Sequence, residues 1–207
     1  MSWARLARVT APQGSPLALA DLKRHLRVDY TDDDALIEGY ARAALAQIEG
    51  PRGAGICLLT QQWRLSLDGL PCRGGWRREP SIEIPMGPVV SIDGVTYLDT
   101  SGDLQTLDPA LYVYDLDARP VRIVRAFQQS WPACQPQPGS VKVTFTAGFG
   151  DKPGNVPHDL KVAAMLLVGH WYEHREAVVG VDARDSSTPL PLGVDRILDA
   201  YRPALVI

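Results

Sequence analysis

Trp63-Arg64-Leu65-Ser66-Leu67-Asp68 is the stretch in which the hydrophobic pattern of the chain changes. Its apolar side chains at 63, 65 and 67 alternate with polar ones at 64, 66 and 68, and this period of two is typical of a half-buried strand. Short apolar runs separated by turn residues continue as far as Val141–Thr146. We therefore predict an antiparallel β-rich region over residues 58–148.

The residues before this region have a helical period instead. Leucines spaced three and four residues apart between Leu19 and Leu26 predict a first helix. Thr31 with Asp34 three residues later fits a capping box, which predicts a second helix that ends at Gly50. The apolar positions predicted to form one face of the second helix are Leu36, Tyr40, Ala43, Ala44 and Ile48.

The helical period returns after the β-rich region. A helix is predicted from about 157 to 178, because Pro157 suits a first helical position and apolar residues from Leu160 to Trp171 recur along one face. A loop rich in glycine, serine and proline follows over 180–191, and a short last helix over 194–201. An apolar tail, residues 203–207, comes after it.

These patterns together predict an α+β fold in which the N- and C-terminal segments form one helical body and an antiparallel β-rich insert lies between them. The predicted domains are an extended N-terminal arm over 1–15, a helical body over 16–57 plus 149–207, and the β-insert over 58–148. At 207 residues the chain is long enough for one domain with an addition or for a tightly joined pair.

Charge and cysteine content exclude several classes of protein. The net charge is −3, and residues 58–148 hold 8 basic and 9 acidic side chains, so the chain offers no basic platform for nucleic acid. The three cysteines have no C-x-x-C spacing, which argues against a disulfide framework and a zinc knuckle. The longest apolar run, 162–169, is too short to cross a bilayer.

His170-Trp171-Tyr172-Glu173-His174 matches the H-x-x-E-H pattern of inverted zincins. Histidines four residues apart share a helix face and could bind zinc, with Glu173 as a general base. A catalytic zinc needs a third protein ligand, and no glutamate occurs after Glu176. We expect no catalytic residue, metal or cofactor; a metal-dependent hydrolase that uses His170, Glu173 and His174 is the alternative.

A second alternative is a β-sheet module that binds glycan or protein through Trp76 and Trp131. Trp76 lies in Arg73-Gly74-Gly75-Trp76-Arg77-Arg78, which could stack on a base or contact phosphates. It is one short loop in a region of neutral charge, so an exposed loop or protein contact is the favoured interpretation.

Several segments, in order and with sensible spacing, resemble the head-tail connector proteins of tailed phages, in the group found in prophages and gene transfer agents. At His174 the family pattern more often has asparagine, so this position need not be a ligand. The segments that carry the resemblance are Pro16–Val28, Asp32–Ile37, Leu59–Leu65, Gln129–Pro132, Val143–Gly150, Val156-Pro157, His170–Val178 and Asp199–Arg202.

The resemblance implies a structural adaptor in the neck of a virion or gene transfer agent particle, assembled in the bacterial cytoplasm. Identical subunits would form a ring, dodecameric in the family, that docks on the portal protein and presents a platform for the stopper or tail-completion protein. Double-stranded DNA would pass through the lumen without specific binding, and the small net charge suits this, because a basic lumen would hold phosphates.

Ring subunits need exposed apolar or aromatic surface on both flanks. The predicted subunit-interface residues are Trp3, Trp76, Trp131, Trp171 and Tyr172. The apolar tail suits insertion into a groove of a neighbour, which the resemblance implies is the portal; its alternative is packing on the last helix of its own chain. The predicted portal-docking residues are Tyr201, Arg202, Leu205, Val206 and Ile207.

Overall fold

The structure is a computed structural model, and it describes residues 5–51, 53–71, 80–175 and 193–202. The chain divides into two compact units. The β unit contains the residues up to Gln13 together with Thr60–Gly148, and the helical unit contains Gly14–Leu59 and Phe149–Arg202. Helices and antiparallel sheets are both present, so the predicted α+β fold class is confirmed.

The helical unit has one hydrophobic core to which all of its helices contribute. The buried face of α2 is formed by Ile37, Ala41, Ala44 and Ile48, which recur every three to four residues. The predicted face was correct at Ala44 and Ile48, which are buried, and at Tyr40, which packs against the core. It was wrong at Ala43, which is exposed, and Leu36 is only half-buried. The helices are α1 (Leu19–Leu26), α2 (Asp34–Ile48), α3 (His158–Glu173) and α4 (Val194–Asp199).

The start of α2 differs from the predicted capping box. Asp33, rather than Thr31, is the N-cap residue, and its side chain makes no capping hydrogen bond. The carboxylates here bind other partners: that of Asp33 accepts from the Tyr172 hydroxyl, and that of Asp34 accepts from Lys23 Nζ at 2.6 Å. The capping-box prediction was wrong because the side chains of this turn bond to α1 and α3 instead of to the helix backbone.

The longest helix, α3, packs through small and aliphatic side chains. Leu160, Ala163, Ala164, Leu167 and Val168 are all fully buried in the core of the helical unit. The helix ends at Glu173, before the predicted end near 178, because the residue after it takes non-helical dihedral angles with φ −115° and ψ 69°. No described helix is long and apolar enough to span a bilayer.

The β unit contains two antiparallel sheets. The larger has five strands in the order β1-β2-β8-β4-β5, and the smaller has three in the order β3-β7-β6. The strands are β1 (Arg5–Thr10), β2 (Gln61–Leu67), β3 (Ser81–Ile84), β4 (Val89–Leu98), β5 (Leu104–Thr106), β6 (Tyr112–Asp115), β7 (Val121–Arg125) and β8 (Val141–Ala147).

Along β8, buried residues alternate strictly with half-buried ones. One face of the larger sheet therefore packs against the core of this unit. Phe145 of β8 is opposite Trp63 of β2, and both are buried. The Trp63 indole donates to the side-chain oxygen of Gln61 at 3.1 Å, so the buried amide satisfies the one polar group of the ring.

The segment predicted as an extended arm, 1–15, contributes β1 to the larger sheet. Leu6 is opposite Leu65, and Arg8 is opposite Trp63. Five of the six residues of β1 are exposed, so its sequence shows no alternation from which a strand could be predicted.

Candidate assembly interface

A cluster of polar side chains joins the α1–α2 connection to the end of α3, and Asp33 is at its centre. The Tyr172 hydroxyl donates to Asp33 Oδ2 at 2.6 Å, and the Arg175 guanidinium donates to the same oxygen at 2.8 Å. The Tyr30 hydroxyl lies 3.2 Å from that oxygen and 2.9 Å from the Tyr172 hydroxyl. We call Tyr30, Asp33, Tyr172 and Arg175 the Asp33 cluster.

The hydrogen bonds of the Asp33 cluster favour one protonation state of each group. The bond from Tyr172, followed by the bond from Arg175, holds the pKa of Asp33 below its usual value. The bond to Asp33 in turn raises the pKa of Tyr172 well above that of a free phenol and also raises the pKa of Arg175. The carboxylate is therefore charged at neutral pH and held through Oδ2, which suits a structural tie and not proton transfer.

Two of the predicted interface residues, Trp171 and Tyr172, lie in this part of the helical unit. Trp171 is half-buried against the core, with its ring 6.3 Å from that of Tyr40. The ring of Tyr172 also packs on the core, and the Arg175 guanidinium covers it at 4.6 Å. Both side chains thus have roles within their own chain, and their contact with a neighbouring subunit stays a prediction.

The H-x-x-E-H residues lie at the last turn of α3. The rings of His170 and His174 are 4.7 Å apart, and His174 Nδ1 is 3.0 Å from the carbonyl oxygen of His170. Glu173 is exposed. In the described parts of the chain, no group of three histidine, cysteine or acidic side chains is arranged to hold a metal ion. The hydrolase alternative therefore gains no support from this geometry.

Tyr201 and Arg202, predicted to dock on the portal, directly precede the apolar tail. The Tyr201 hydroxyl donates to the carboxylate of Asp159, 2.8 and 3.0 Å from its two oxygens, and its ring meets that of Phe149 edge-on at 6.0 Å. Arg202 pairs with Asp199 at 2.6 Å. The point at which the tail leaves the helical unit is thereby fixed to α3 and α4.

Five of the predicted site residues lie outside the described residues. They are Trp3, Trp76, Leu205, Val206 and Ile207. The arginines of the 73–78 loop also lie outside them.

Trp131, the remaining predicted interface residue, lies in the irregular segment between β7 and β8 and is half-buried. Its indole nitrogen is shielded from solvent and has no hydrogen-bond partner among the described residues. A buried donor without a partner is costly in a folded protein. Because this nitrogen is already shielded within its own chain, it gives no sign of a subunit contact, and the interface role of Trp131 stays a prediction.

Sequence reasoning missed Phe127, whose side chain is 89% exposed. It follows β7 in a turn where the amide of Ala126 donates to Leu111 O at 2.9 Å and that of Gln129 donates to Ala126 O at 3.0 Å. Gln128 has a positive φ of 59°, which completes the turn. Phe127 is an apolar ring held in solvent by an ordered backbone, as expected of an assembly contact. The sequence signal that could have identified this site was an aromatic residue in a segment without helical or strand periodicity.

A cleft of about 560 Å³ lies in the helical unit at the N-terminal ends of α1 and α3. Its apolar lining includes Leu17 and Met165, and its basic side chains include Arg24 and Lys161. None of the described residues that line it is a serine, threonine or cysteine, so it lacks a hydroxyl or thiol nucleophile. A mixed basic and apolar surface of this kind suits contact with protein.

Two protein families match separate parts of the chain. Residues 17–97 match the phage gp6-like head-tail connector proteins, and residues 126–204 match the head completion proteins. A comparison with curated proteins found no match.

Chains in three solved structures of gene transfer agent (GTA) particles resemble this one over nearly their whole length. One is from the neck of an empty GTA particle computed with C6 symmetry, at 27% identity and a TM-score of 0.71. Another is from the virion of a native GTA particle, at 28% identity and a TM-score of 0.70, and a third is from the neck of a native particle computed with C12 symmetry, at 28% identity and a TM-score of 0.67. Each match covers 98% of this chain and 97% of the other.

The two family matches extend into the β-insert from both ends and leave out only residues 98–125 of it, and the structural likeness covers nearly the whole chain. The resemblance to phage head-tail connector proteins that was inferred from sequence is therefore confirmed.

Proposed function

We propose that the chain is the adaptor subunit of a particle neck, where copies form a ring that docks on the portal vertex and links the DNA-filled head to the stopper or tail-completion protein. The observation that carries this proposal is the likeness, over 98% of the chain, to chains in GTA necks. The C6 and C12 symmetries of those necks support a closed ring, and we propose twelve subunits.

The matched families support a structural role, and we propose that the chain catalyses no reaction. The Asp33 cluster fits that role, since its hydrogen bonds fix the last turn of α3 to the α1–α2 connection. We propose further that DNA passes through the ring without specific binding. The net charge of −3 supports this, because the 24 acidic side chains outnumber the 21 lysines and arginines that could hold phosphates.

We propose that the apolar tail docks on the portal. Its base is fixed by the hydrogen bonds of Tyr201 to Asp159 and by the ion pair of Arg202 with Asp199. A fixed base lowers the entropy cost of inserting the residues that follow it. Leu205, Val206 and Ile207 would then supply the apolar contacts, and the proposed subunit contacts are Trp3, Trp76, Trp131, Trp171 and Tyr172.

The test is electron microscopy of the purified chain, alone and after incubation with portal-containing heads that lack it. We expect rings on the portal vertex with the intact chain, and loss of head binding when residues 203–207 are deleted or when Leu205→Asp and Val206→Asp are combined. Leu116→Asp, at a side chain that is 39% exposed in the β unit, is the matched control and should still bind.

Two outcomes would contradict the proposal. An intact chain that remains monomeric in the presence of heads would exclude the adaptor role. Normal head binding after deletion of 203–207 would exclude the docking role of the tail and leave the adaptor role in place.

A further inference from the structure

The larger sheet has two edges, formed by β1 and β5. No other described strand pairs with the outer side of either one. An edge strand directs backbone N–H and C=O groups outward, and natural proteins normally cover, charge or shorten such edges. Both strands belong to the β unit, so their relation to each other is fixed by one continuous sheet.

Each edge carries an exposed aliphatic side chain. Val9 of β1 is 49% exposed, and Leu104 of β5 is 64% exposed. Val9 lies at an irregularity of the β1–β2 pairing, where the register shifts between Arg8 and Thr10. Such a bulge changes the direction of a side chain at an edge. An apolar side chain at each edge of one sheet would be removed from water if a second chain covered that edge.

The two edges also differ in charge. On the β1 edge, Arg5 pairs with Asp68 at 3.0 Å, whereas Arg8 has no carboxylate within ion-pair distance among the described residues. The guanidinium of Arg8 lies 5.5 Å from the centre of the Trp63 ring, which holds it beside the strand. The β1 edge is therefore basic.

The β5 edge is acidic because the hairpin between β4 and β5 contains Asp99 and Asp103. The carboxylate of Asp99 accepts from Gln105 Nε2 at 2.9 Å and from the amides of Ser101 and Asp103 at 2.9 and 3.0 Å. These bonds lower the pKa of Asp99 and order the turn. Asp103, next to Leu104, is exposed.

The topology makes the two edges suitable for a head-to-tail contact. An antiparallel sheet with an odd number of strands has edge strands that run in the same direction, and this sheet has five strands, three of which lie between the two edges. Joining β5 of one copy to β1 of the next uses two different surfaces. Repetition of such a heterologous contact generates a ring when the rotation closes.

We propose that the β5 edge of one copy lies against the β1 edge of the next copy, with Leu104 on Val9 and Asp103 facing Arg8. The occupant of each edge is thus a second copy of this chain, and opposite charges select the head-to-tail arrangement over pairing of like edges. The proposal deepens the ring of the proposed function and rests on it.

Reversal of one charge tests the pairing. Arg8→Asp and Asp103→Arg, each alone, place like charges across the contact and should raise the protein concentration needed for rings by about tenfold or more. The two changes combined should restore most of the loss. Val113→Asp, at a side chain that is 53% exposed on the smaller sheet, is the control and should leave rings unchanged.

Cysteine cross-linking tests the contact directly, in a background with Cys72→Ser and Cys134→Ser, because Cys57 is buried. When one chain carries both Val9→Cys and Leu104→Cys, oxidation should give a ladder of covalently linked multimers. A chain that carries only one of the two changes should give no covalent species larger than a dimer. Leu104→Cys with Val113→Cys is the control pair and should give no ladder.

Each outcome separates this proposal from the adaptor role. Rings visible by microscopy without a ladder, or without rescue by the double charge reversal, would overturn the edge contact while the ring stands. Absence of rings from the unsubstituted chain, with and without portal-containing heads, would overturn both.

Discussion

The Tyr172 hydroxyl lies 2.6 Å from the Asp33 carboxylate, although 139 residues separate the two in sequence. This bond joins the N-cap residue of α2 to the last turn of α3, and the Arg175 guanidinium donates to the same carboxylate oxygen at 2.8 Å. Charge-assisted hydrogen bonds of this kind are among the stronger polar contacts in proteins. The Asp33 cluster therefore determines where the chain leaves α3.

We expect Asp33→Asn and Tyr172→Phe each to lower the melting temperature, because each removes a charge-assisted bond of the Asp33 cluster. Tyr114→Phe is the control: this side chain is 43% exposed, and its ring contacts that of Tyr112. Circular dichroism melts of the three variants would check this. A Tyr172→Phe variant that melts with the wild type would show that the bond contributes nothing to stability.

The stability contributed by the Asp33 cluster should depend on pH. The pKa of Asp33 is lower in the folded chain than its usual 3.8, so this contribution is complete above pH 3.8 and is lost as the pH falls through the folded pKa. The pKa of Tyr172 is raised from 10.0, so its contribution is complete below pH 10.0 and is lost as the pH rises through the folded value.

The difference in melting temperature between wild type and Asp33→Asn should consequently be largest near neutral pH and shrink on acidification below pH 3.8. Thermal melts over a series of buffers would measure it. A difference that stays constant into strong acid would contradict the assignment of the effect to the Asp33 carboxylate.

The strands of the β unit were predictable where burial alternates. Along β8 every second residue is buried, and the predicted strand 141–146 differs from Val141–Ala147 by a single residue. β1 was not predictable as a strand, because an edge strand with five exposed residues leaves no hydrophobic period. Pairing with β2 makes it a strand, and that information lies in residues more than 50 positions away.

The candidate site was less predictable than the fold. Tyr172 was identified as a candidate contact from its place beside Trp171, but its bond to Asp33 depends on tertiary packing. Local reasoning gave the acidic residues of 32–34 a capping role, and the structure shows that long-range partners bind Asp33 and Asp34 instead. Exposure of Phe127 could not be predicted, since phenylalanine is among the residues that are most often buried.

We expect Leu167→Ala to destabilise the chain by about 2–5 kcal/mol, because Leu167 is fully buried in the core of the helical unit and its truncation leaves a cavity. Leu116→Ala, at a side chain that is 39% exposed, should change stability by less than about 0.5 kcal/mol. Urea denaturation followed by fluorescence would measure both. Equal changes in the free energy of unfolding at the two positions would contradict the assignment of Leu167 to the core.

Replacement of both histidines of the H-x-x-E-H segment should leave ring formation and head binding unchanged. The double variant His170→Ala/His174→Ala loses the contact between the two rings and the hydrogen bond between the His174 side chain and the His170 carbonyl oxygen at the end of α3. Elemental analysis of the unsubstituted protein, purified without chelator, should find far less than one zinc per chain. Stoichiometric zinc that disappears in the double variant would revive the hydrolase alternative.

Phe127→Ser should weaken assembly without weakening the fold. The ring is 89% exposed in the single chain, so its removal costs little burial, and the free energy of unfolding should change by less than about 0.5 kcal/mol. An exposed aromatic that is buried on assembly is the kind of residue that dominates interface energies, and its loss should weaken ring formation or head binding by about tenfold. Tyr114→Ser, at a 43% exposed ring of the same unit, is the control. If Phe127→Ser assembled as well as the wild type and Tyr114→Ser did not, the aromatic contact of the β unit would lie on β6 and not at the turn after β7.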